Sequence, residues 1–271
     1  MHPILFSIAG VPLFSLSVFL VIAWLVFSFV FWKLLRNMGV AEQRIFDLTF
    51  YSTLVSLFSS RAVFVLLNPA LFSDNLIKVA AFWVQPGFSL YGGLIGALGT
   101  SVYLSRRYKV RLAYVLDAWA VSLPLSLIFG EIGSLLDGTE VGRTFAGPWS
   151  IFYLGHVGRR HPVQLYEILA LVLVLIVVFL LQKKAEIGKW PFGLVGVWFF
   201  LAFSVFMFII EFAKETGVYF FRFSINQWIL IAIFGQSLGA LYVRGGGREK
   251  FRPMVRRVIE AIYTKFSKRH A

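Results

Sequence analysis

Apolar stretches of about twenty residues recur from one end of this chain to the other, and a helix of that length spans the roughly 30 Å hydrocarbon core of a bilayer. Seven stand out, at residues 12–32, 45–67, 87–104, 113–135, 165–181, 191–212 and 224–243. Because that core holds no water, each crossing segment must satisfy its own backbone hydrogen bonds, and uninterrupted runs of this length do so as helices. The expected fold class is therefore all-α: a polytopic membrane protein of about seven transmembrane helices. Residues 1–243 make the transmembrane domain and 244–271 a tail. A shorter apolar run, 77–84, follows Asp74 and contains Trp83, which suits an interfacial segment. The first run has no Lys or Arg before it and is too long for a signal-peptide core, so it is expected to be a retained span.

Charged residues make up 14% of the 271, against roughly 25% in soluble domains. No separate soluble domain fits between the spans. The chain has no cysteine, which excludes disulfides, thiolate metal sites and a cysteine nucleophile of its own. Its formal charge of +13 would suggest nucleic acid in a soluble protein, but the positions of the cations argue for a membrane instead. Lys33, Arg36 and Arg44 follow the first span, Arg106, Arg107, Lys109 and Arg111 the third, Lys183, Lys184 and Lys189 the fifth, and a dense series from Arg244 to Arg269 the seventh. The opposite loops hold only Lys78, Arg143, Arg159, Arg160, Lys214 and Arg222. By the positive-inside rule the N-terminus lies outside and the C-terminus in the cytoplasm. In the tail, Phe251, Met254, Val255, Val258, Ile259, Ile262, Tyr263 and Phe266 recur at spacings of three and four among basic residues. That pattern predicts a basic amphipathic helix, lying on the anionic leaflet or docked on the protein's own loops.

With this topology the polar residues can be sorted by depth. Arg61 lies near the outer end of span two, and Tyr91-Gly92-Gly93 opens span three from outside. Glu131 and Ser134 lie near the outer end of span four, and Asp137, Glu140, Gly142 and Arg143 follow in the loop. Arg160, His161, Gln164, Tyr166 and Glu167 lead into span five, Glu211 and Lys214 close span six, and Asn226 and Gln227 open span seven. All meet at the outer leaflet. Each has a structural reading: Arg61 snorkels to head groups, Glu167 pairs with Arg160, Glu211 pairs with Lys214, and the glycines are packing devices. An acid, a base and several cations gathered on one face of a membrane bundle are more than packing requires, and intramembrane ionisable groups mark sites. Asp47 and Asp117, on the cytoplasmic half, read as helix-to-helix hydrogen bonds.

Several strings occur in a telling order: His2-Pro3-Ile4-Leu5-Phe6-Ser7-Ile8, Leu90-Tyr91-Gly92-Gly93-Leu94-Ile95-Gly96, Gly130-Glu131-Ile132-Gly133 through Gly142-Arg143, Pro148-Trp149, Arg160-His161-Pro162-Val163-Gln164-Leu165-Tyr166-Glu167 and Ile210-Glu211-Phe212. In this the chain resembles bacterial prolipoprotein diacylglyceryl transferases, nearly to Gln227, with the Arg-His-Pro-x-Gln-Leu-Tyr-Glu string as the most specific element. The resemblance implies transfer of diacylglyceryl from phosphatidylglycerol to the lipobox cysteine thiol of a prolipoprotein, releasing glycerol phosphate. The chain departs from the family pattern at Tyr91, where the family usually has His, and at Glu131 and Ser134, where it has Arg and Asn. Asp137-Gly138-Thr139 stands for Asn-Gly-Glu, and Lys214 for Arg.

That chemistry needs a group to take the thiol proton, cations to hold the departing phosphate and an opening to lipid. His161 is the expected base, its unperturbed pKa near 6.5, oriented by Glu167 or Tyr166; Tyr91 serves better as a donor. Arg61, Arg143 and Arg160 are the candidate phosphate anchors, with Lys214 a further point charge. Glu131 either pairs with one of them or marks an altered lipid head group. Expected partners are phosphatidylglycerol or another anionic phospholipid, prolipoprotein signal peptides with a lipobox, and the membrane, with no nucleic acid. The four histidines, His2, His156, His161 and His270, form no acid-flanked pair at helical spacing, so no metal and no cofactor is expected. A non-catalytic relative that binds lipid or prolipoprotein is the alternative, and an unrelated channel or transporter a more distant one.

Overall fold

The computed structural model describes residues 2–8, 10–187, 190–215 and 219–244. A hairpin, β1 (Ile4–Ile8) and β2 (Val11–Phe14), leads into α1 (Ser15–Asn37) and α2 (Glu42–Leu67). After a 3-10 turn at Pro69–Leu71 come the one-turn helix α3 (Ile77–Ala80), α4 (Leu90–Arg107) and α5 (Leu112–Asp137). A second hairpin, β3 (Ile151–Phe152) and β4 (Arg159–Arg160), precedes α6 (Val163–Glu186) and α7 (Leu194–Glu211). A third, β5 (Tyr219–Phe220) and β6 (Phe223–Ser224), precedes α8 (Ile225–Arg244).

All seven predicted spans are long helices, and the protein is a polytopic all-α membrane protein. Five of them, α1, α2, α5, α6 and α7, are long and apolar enough to cross a membrane by length and composition. The first expected span, 12–32, is corrected at its start: residues 12–14 belong to β2, and the helix runs on to Asn37. Within 77–84 only Ile77–Ala80 is helical, with Ile77 and Trp83 exposed beside it. The expected amphipathic helix of the tail lies outside the described residues.

Association of helices in lipid relies on close packing and polar bridges, because lipid tails are as apolar as leucine. Helix α5 is the centre, with Val115, Ala118, Trp119 and Ala120 buried and α1, α6 and α7 packed round it. Phe27 and Phe31 of α1 meet the Trp119 ring edge-on at 5.1 and 6.5 Å between centroids. Large apolar side chains on the outer faces, such as Leu20, Phe58 and Leu169, are exposed to where lipid would lie. Gly92, Gly93 and Gly96 of α4 press on Ser56, Ser59 and Val63 of α2, where a Cβ on Gly92 or Gly96 has no room. The Ser52 and Ser101 hydroxyls bridge the same pair at 3.1 Å. The glycines are thus packing devices. Asp117 accepts the Gly193 and Gly196 amides at 2.6 and 2.8 Å, tying α5 to the start of α7 as the helix-to-helix reading expects.

Ser89 caps α4 by accepting the Gly92 amide at 3.2 Å, and Gly138, with φ of 80°, ends α5 in the left-handed conformation that favours glycine. These two ends deliver Tyr91 and Glu131 to the same end of the bundle.

Candidate functional site

Where α4 and α6 begin and α5 and α7 finish, three stretches of loop backbone lie side by side. Residues 141–145 run between 213–215 and 159–161, pairing Gly142 with Lys214 and Thr144 with Arg160. The Arg143 amide donates to Ala213 O at 2.8 Å, the Glu215 amide to Val141 O at 3.0 Å and the His161 amide to Arg143 O at 3.0 Å. Gly142 is required there, since a Cβ would collide with the His161 carbonyl. Pro162 then turns the chain into α6, an abrupt entry that proline allows because it restricts its predecessor to extended backbone.

Under this lattice lies a cluster of charges. Lys214 Nζ is 2.7 Å from Glu140 Oε2 and 2.7 Å from Glu167 Oε1. Burial works against the ammonium, but Glu140 and Glu167 outweigh it and hold the Lys214 pKa well above the ordinary lysine range. Carboxylate oxygens of Glu131, Glu140 and Glu167 all lie within 4.8 Å of one another, the arrangement of a metal-binding carboxylate group, yet Lys214 brings its own cation to it. Tyr91 is buried within electrostatic reach of Lys214, Glu167, Glu211 and Glu140. Glu211 accepts from Ser224 Oγ at 3.0 Å and Asn226 Nδ2 at 2.9 Å, joining α7 to the start of α8.

His161 stands at the rim. Its ring stacks on Phe145, 3.9 Å between centroids, and Nδ1 lies 3.1 Å from Tyr166 Oη, which accepts Trp149 Nε1–H at 2.7 Å. Burial lowers the His161 pKa from the usual imidazole value. Gln164, fully buried, donates to Glu140 O at 2.6 Å, reaches Ser134 Oγ at 3.5 Å and accepts Tyr153 O–H at 2.6 Å. Burial pushes the Tyr153 hydroxyl up to about 12. Arg143 is exposed and donates to Lys214 O at 3.2 Å and to Tyr219 Oη at 2.5 Å. Arg160 is buried, donates to Gly142 O at 3.1 Å and pairs with Glu215, and its Nε has no partner among the described residues.

The structure thus brings Tyr91, Glu131, Glu167, Glu211 and Lys214 into one interior cluster and His161, Tyr166, Arg143, Arg160, Gly142 and Gln164 into the lattice above it. Ser134 touches both through Gln164. Asp137 ends α5 and accepts Thr139 Oγ1 at 2.5 Å, a turn contact. Arg61 stands apart: its guanidinium donates to Lys78 O, Val79 O and Gly87 O at 2.6, 2.9 and 2.8 Å and packs on the rings of Phe64, Phe72 and Phe88. Two expected pairings are different here. Glu167 binds Lys214 instead of Arg160, and Lys214 binds Glu140 and Glu167 instead of Glu211. Glu215 is the residue that sequence reasoning passed over, its signal the need to balance Arg160, and Glu140, placed in the loop but given no role, proves to be a partner of Lys214.

Residues 3–243 match the family model for prolipoprotein diacylglyceryl transferase. The chain is 28% identical over 267 residues, 93% of its length and 97% of the relative's, to a phosphatidylglycerol–prolipoprotein diacylglyceryl transferase of Wolbachia sp. subsp. Drosophila simulans. It is 30% identical to proteins of the same name from Geobacter sulfurreducens, covering 77% of this chain and 82% of that one, and from Bordetella avium, covering 83% and 89%. With nearly its whole length matched, helices and loop lattice included, the chain belongs to the prolipoprotein diacylglyceryl transferase family.

Proposed function

We propose that this protein transfers diacylglyceryl from phosphatidylglycerol to the lipobox cysteine thiol of prolipoprotein signal peptides, forming a thioether and releasing glycerol phosphate. It does so in the bacterial cytoplasmic membrane with the site toward the outer leaflet, as the distribution of Lys and Arg indicates. The observation that carries the reading is a positioned imidazole on the same backbone lattice as two arginines: the His161 ring is held by Phe145 and Tyr166, its amide donates to Arg143 O at 3.0 Å, and Arg160 precedes it in the chain.

His161 takes the thiol proton. In the tautomer that leaves Nε2 free, Nδ1–H donates to Tyr166 Oη, whose oxygen also accepts from Trp149, so the ring is held in place. A pKa lowered by burial keeps that ring neutral at neutral pH. The thiolate then attacks the glyceryl carbon, the C–S bond forms as the C–O bond breaks, and Arg143 and Arg160 receive the charge on the departing phosphate. Lys214 and its carboxylates fix the depth and spacing of the helix ends beneath.

Transfer of labelled diacylglyceryl from phosphatidylglycerol to a lipobox peptide by purified protein tests this. Activity that disappears in His161→Ala and Arg160→Ala supports it. Absence of transfer by folded wild-type protein overturns it in favour of a non-catalytic relative.

A further inference from the structure

We infer that the end of the bundle remote from the carboxylate cluster holds one anionic phospholipid by its phosphate, in a pocket between α1, α5, α6 and α7. The inference uses the orientation given by the Lys and Arg count, which puts this end in the cytoplasmic leaflet, and it does not depend on the transfer reaction.

A cavity of about 370 Å³, within the range of ligand pockets, opens where α1 and α6 end and α5 and α7 begin. It is a separate place from the transfer site: its Asp117 and the cluster's Glu131 lie on one helix, about 21 Å apart at 1.5 Å per residue. Leu34, Met38, Ala185 and Val195 give the cavity apolar walls, and Asn37, Tyr114, Asp117 and Gln182 give it polar ones. The two Asp117 oxygens are taken by the Gly193 and Gly196 amides, and the Arg244 guanidinium packs against Gly193, so this carboxylate is already answered in place. The carboxamides of Asn37 and Gln182, by contrast, make no hydrogen bond among the described residues. Each offers two N–H donors to whatever enters.

Arg111 supplies the charge. Its guanidinium lies over the Tyr114 ring, 5.6 Å from the centroid, and donates to Tyr114 Oη at 3.1 Å, which leaves most of its N–H groups unspent. Tyr114 meets Phe192 edge-on at 4.9 Å, so ring and cation are held at the pocket wall. Lys183 and Lys184 follow Gln182 in the last turn of α6, and neither has an acid partner among the described residues. A soluble anion would account for the cations but not for the apolar walls, and the basic start of a signal peptide is repelled by them. Amide donors and a guanidinium beside apolar walls, at the depth where membrane proteins carry basic residues, suit a phosphodiester that brings acyl chains with it. One such lipid touches four helices at once and, as a ligand of the native state, stabilises their packing.

The test uses the full chain in a nonionic detergent, with Arg160→Ala removing a phosphate anchor of the transfer site. Phosphatidylglycerol, phosphatidylcholine and inorganic phosphate are added in separate arms, and retained lipid is counted by native mass spectrometry beside the thermal unfolding midpoint. Phosphatidylglycerol is expected to stay bound and to raise the midpoint. Its apparent affinity should fall on the order of tenfold when Arg111→Gln or Gln182→Ala is added, as loss of one hydrogen bond to a charged group implies. If one of these variants fails to fold, the other decides. Equal retention of phosphatidylcholine, or an affinity unchanged by the pocket variants, overturns the inference. A midpoint raised as far by inorganic phosphate overturns it in favour of a free anion. Transfer is read in no arm, so each outcome leaves the transferase reading where it stands.

Discussion

Lys214 Nζ and Glu167 Oε1, 2.7 Å apart and almost wholly buried, join the segment after α7 to the second turn of α6. Removing one member of such a pair leaves an uncompensated buried charge and is strongly destabilising. Lys214→Met is therefore expected to cost about 3–5 kcal/mol of stability, read as thermal unfolding in detergent. Adding Glu167→Gln should recover a large part of that loss. Additive losses in the double variant would show that the pair is not coupled.

The acid limb of the transfer reaction should belong to His161. A base must be unprotonated, so kcat/KM falls as pH drops through its pKa, and burial places that fall below the ordinary imidazole value of about 6.5. A pH profile with its inflection above that value, or an acid limb retained in an active His161 variant, would remove His161 from the role.

Tyr166→Phe deletes the hydroxyl that meets both His161 Nδ1 and Trp149 Nε1 while leaving the ring in place. We expect kcat to fall by roughly tenfold or more, within the range that one positioned proton-transfer partner supplies, with little change in thermal stability. Equal losses in both would mark the contact as structural.

Seven long helices could be read from the sequence because their apolar runs have helix length, and five of them have the length and composition that a bilayer imposes on whatever crosses it. The gathering of polar groups at one end also followed, from counting Lys and Arg by loop. What could not be read was which acid meets which base. Lys214 reaches Glu140 because Gly142 lies beside it in a backbone lattice of three loop segments, and no periodicity announces pairing between residues so far apart in the chain. Arg61 shows the same limit: near the C-terminal end of α2 it reads as a phosphate anchor, but carbonyls of residues 78, 79 and 87 take up its donors.

That clamp gives a prediction separating folding from chemistry. Arg61→Lys keeps the charge but cannot supply the fork that spans three carbonyls. The segment 76–88 should become open to proteolysis in the variant, and transfer by the intact fraction should persist. Protease resistance equal to the wild type, with activity lost, would return Arg61 to the phosphate.

Gly142→Ala should be among the most damaging small substitutions, since the added methyl meets backbone, the His161 carbonyl, and not a side chain that can move aside. Overpacking of this kind costs typically 1–3 kcal/mol, and here it also shifts the base. Wild-type kcat in Gly142→Ala would show that the lattice tolerates displacement.

Tyr91 belongs to a different block of the bundle from the acids it faces. It rides on α4, which is zipped to α2 by glycine and serine, while Glu131, Glu167 and Lys214 belong to the body built round α5, and the two blocks touch only lightly along α4 with α5 and α2 with α1. Tyr91 therefore reaches the acids across the thinly packed seam, and its position against Glu167 and Lys214 depends on how those two blocks dock rather than on any one helix.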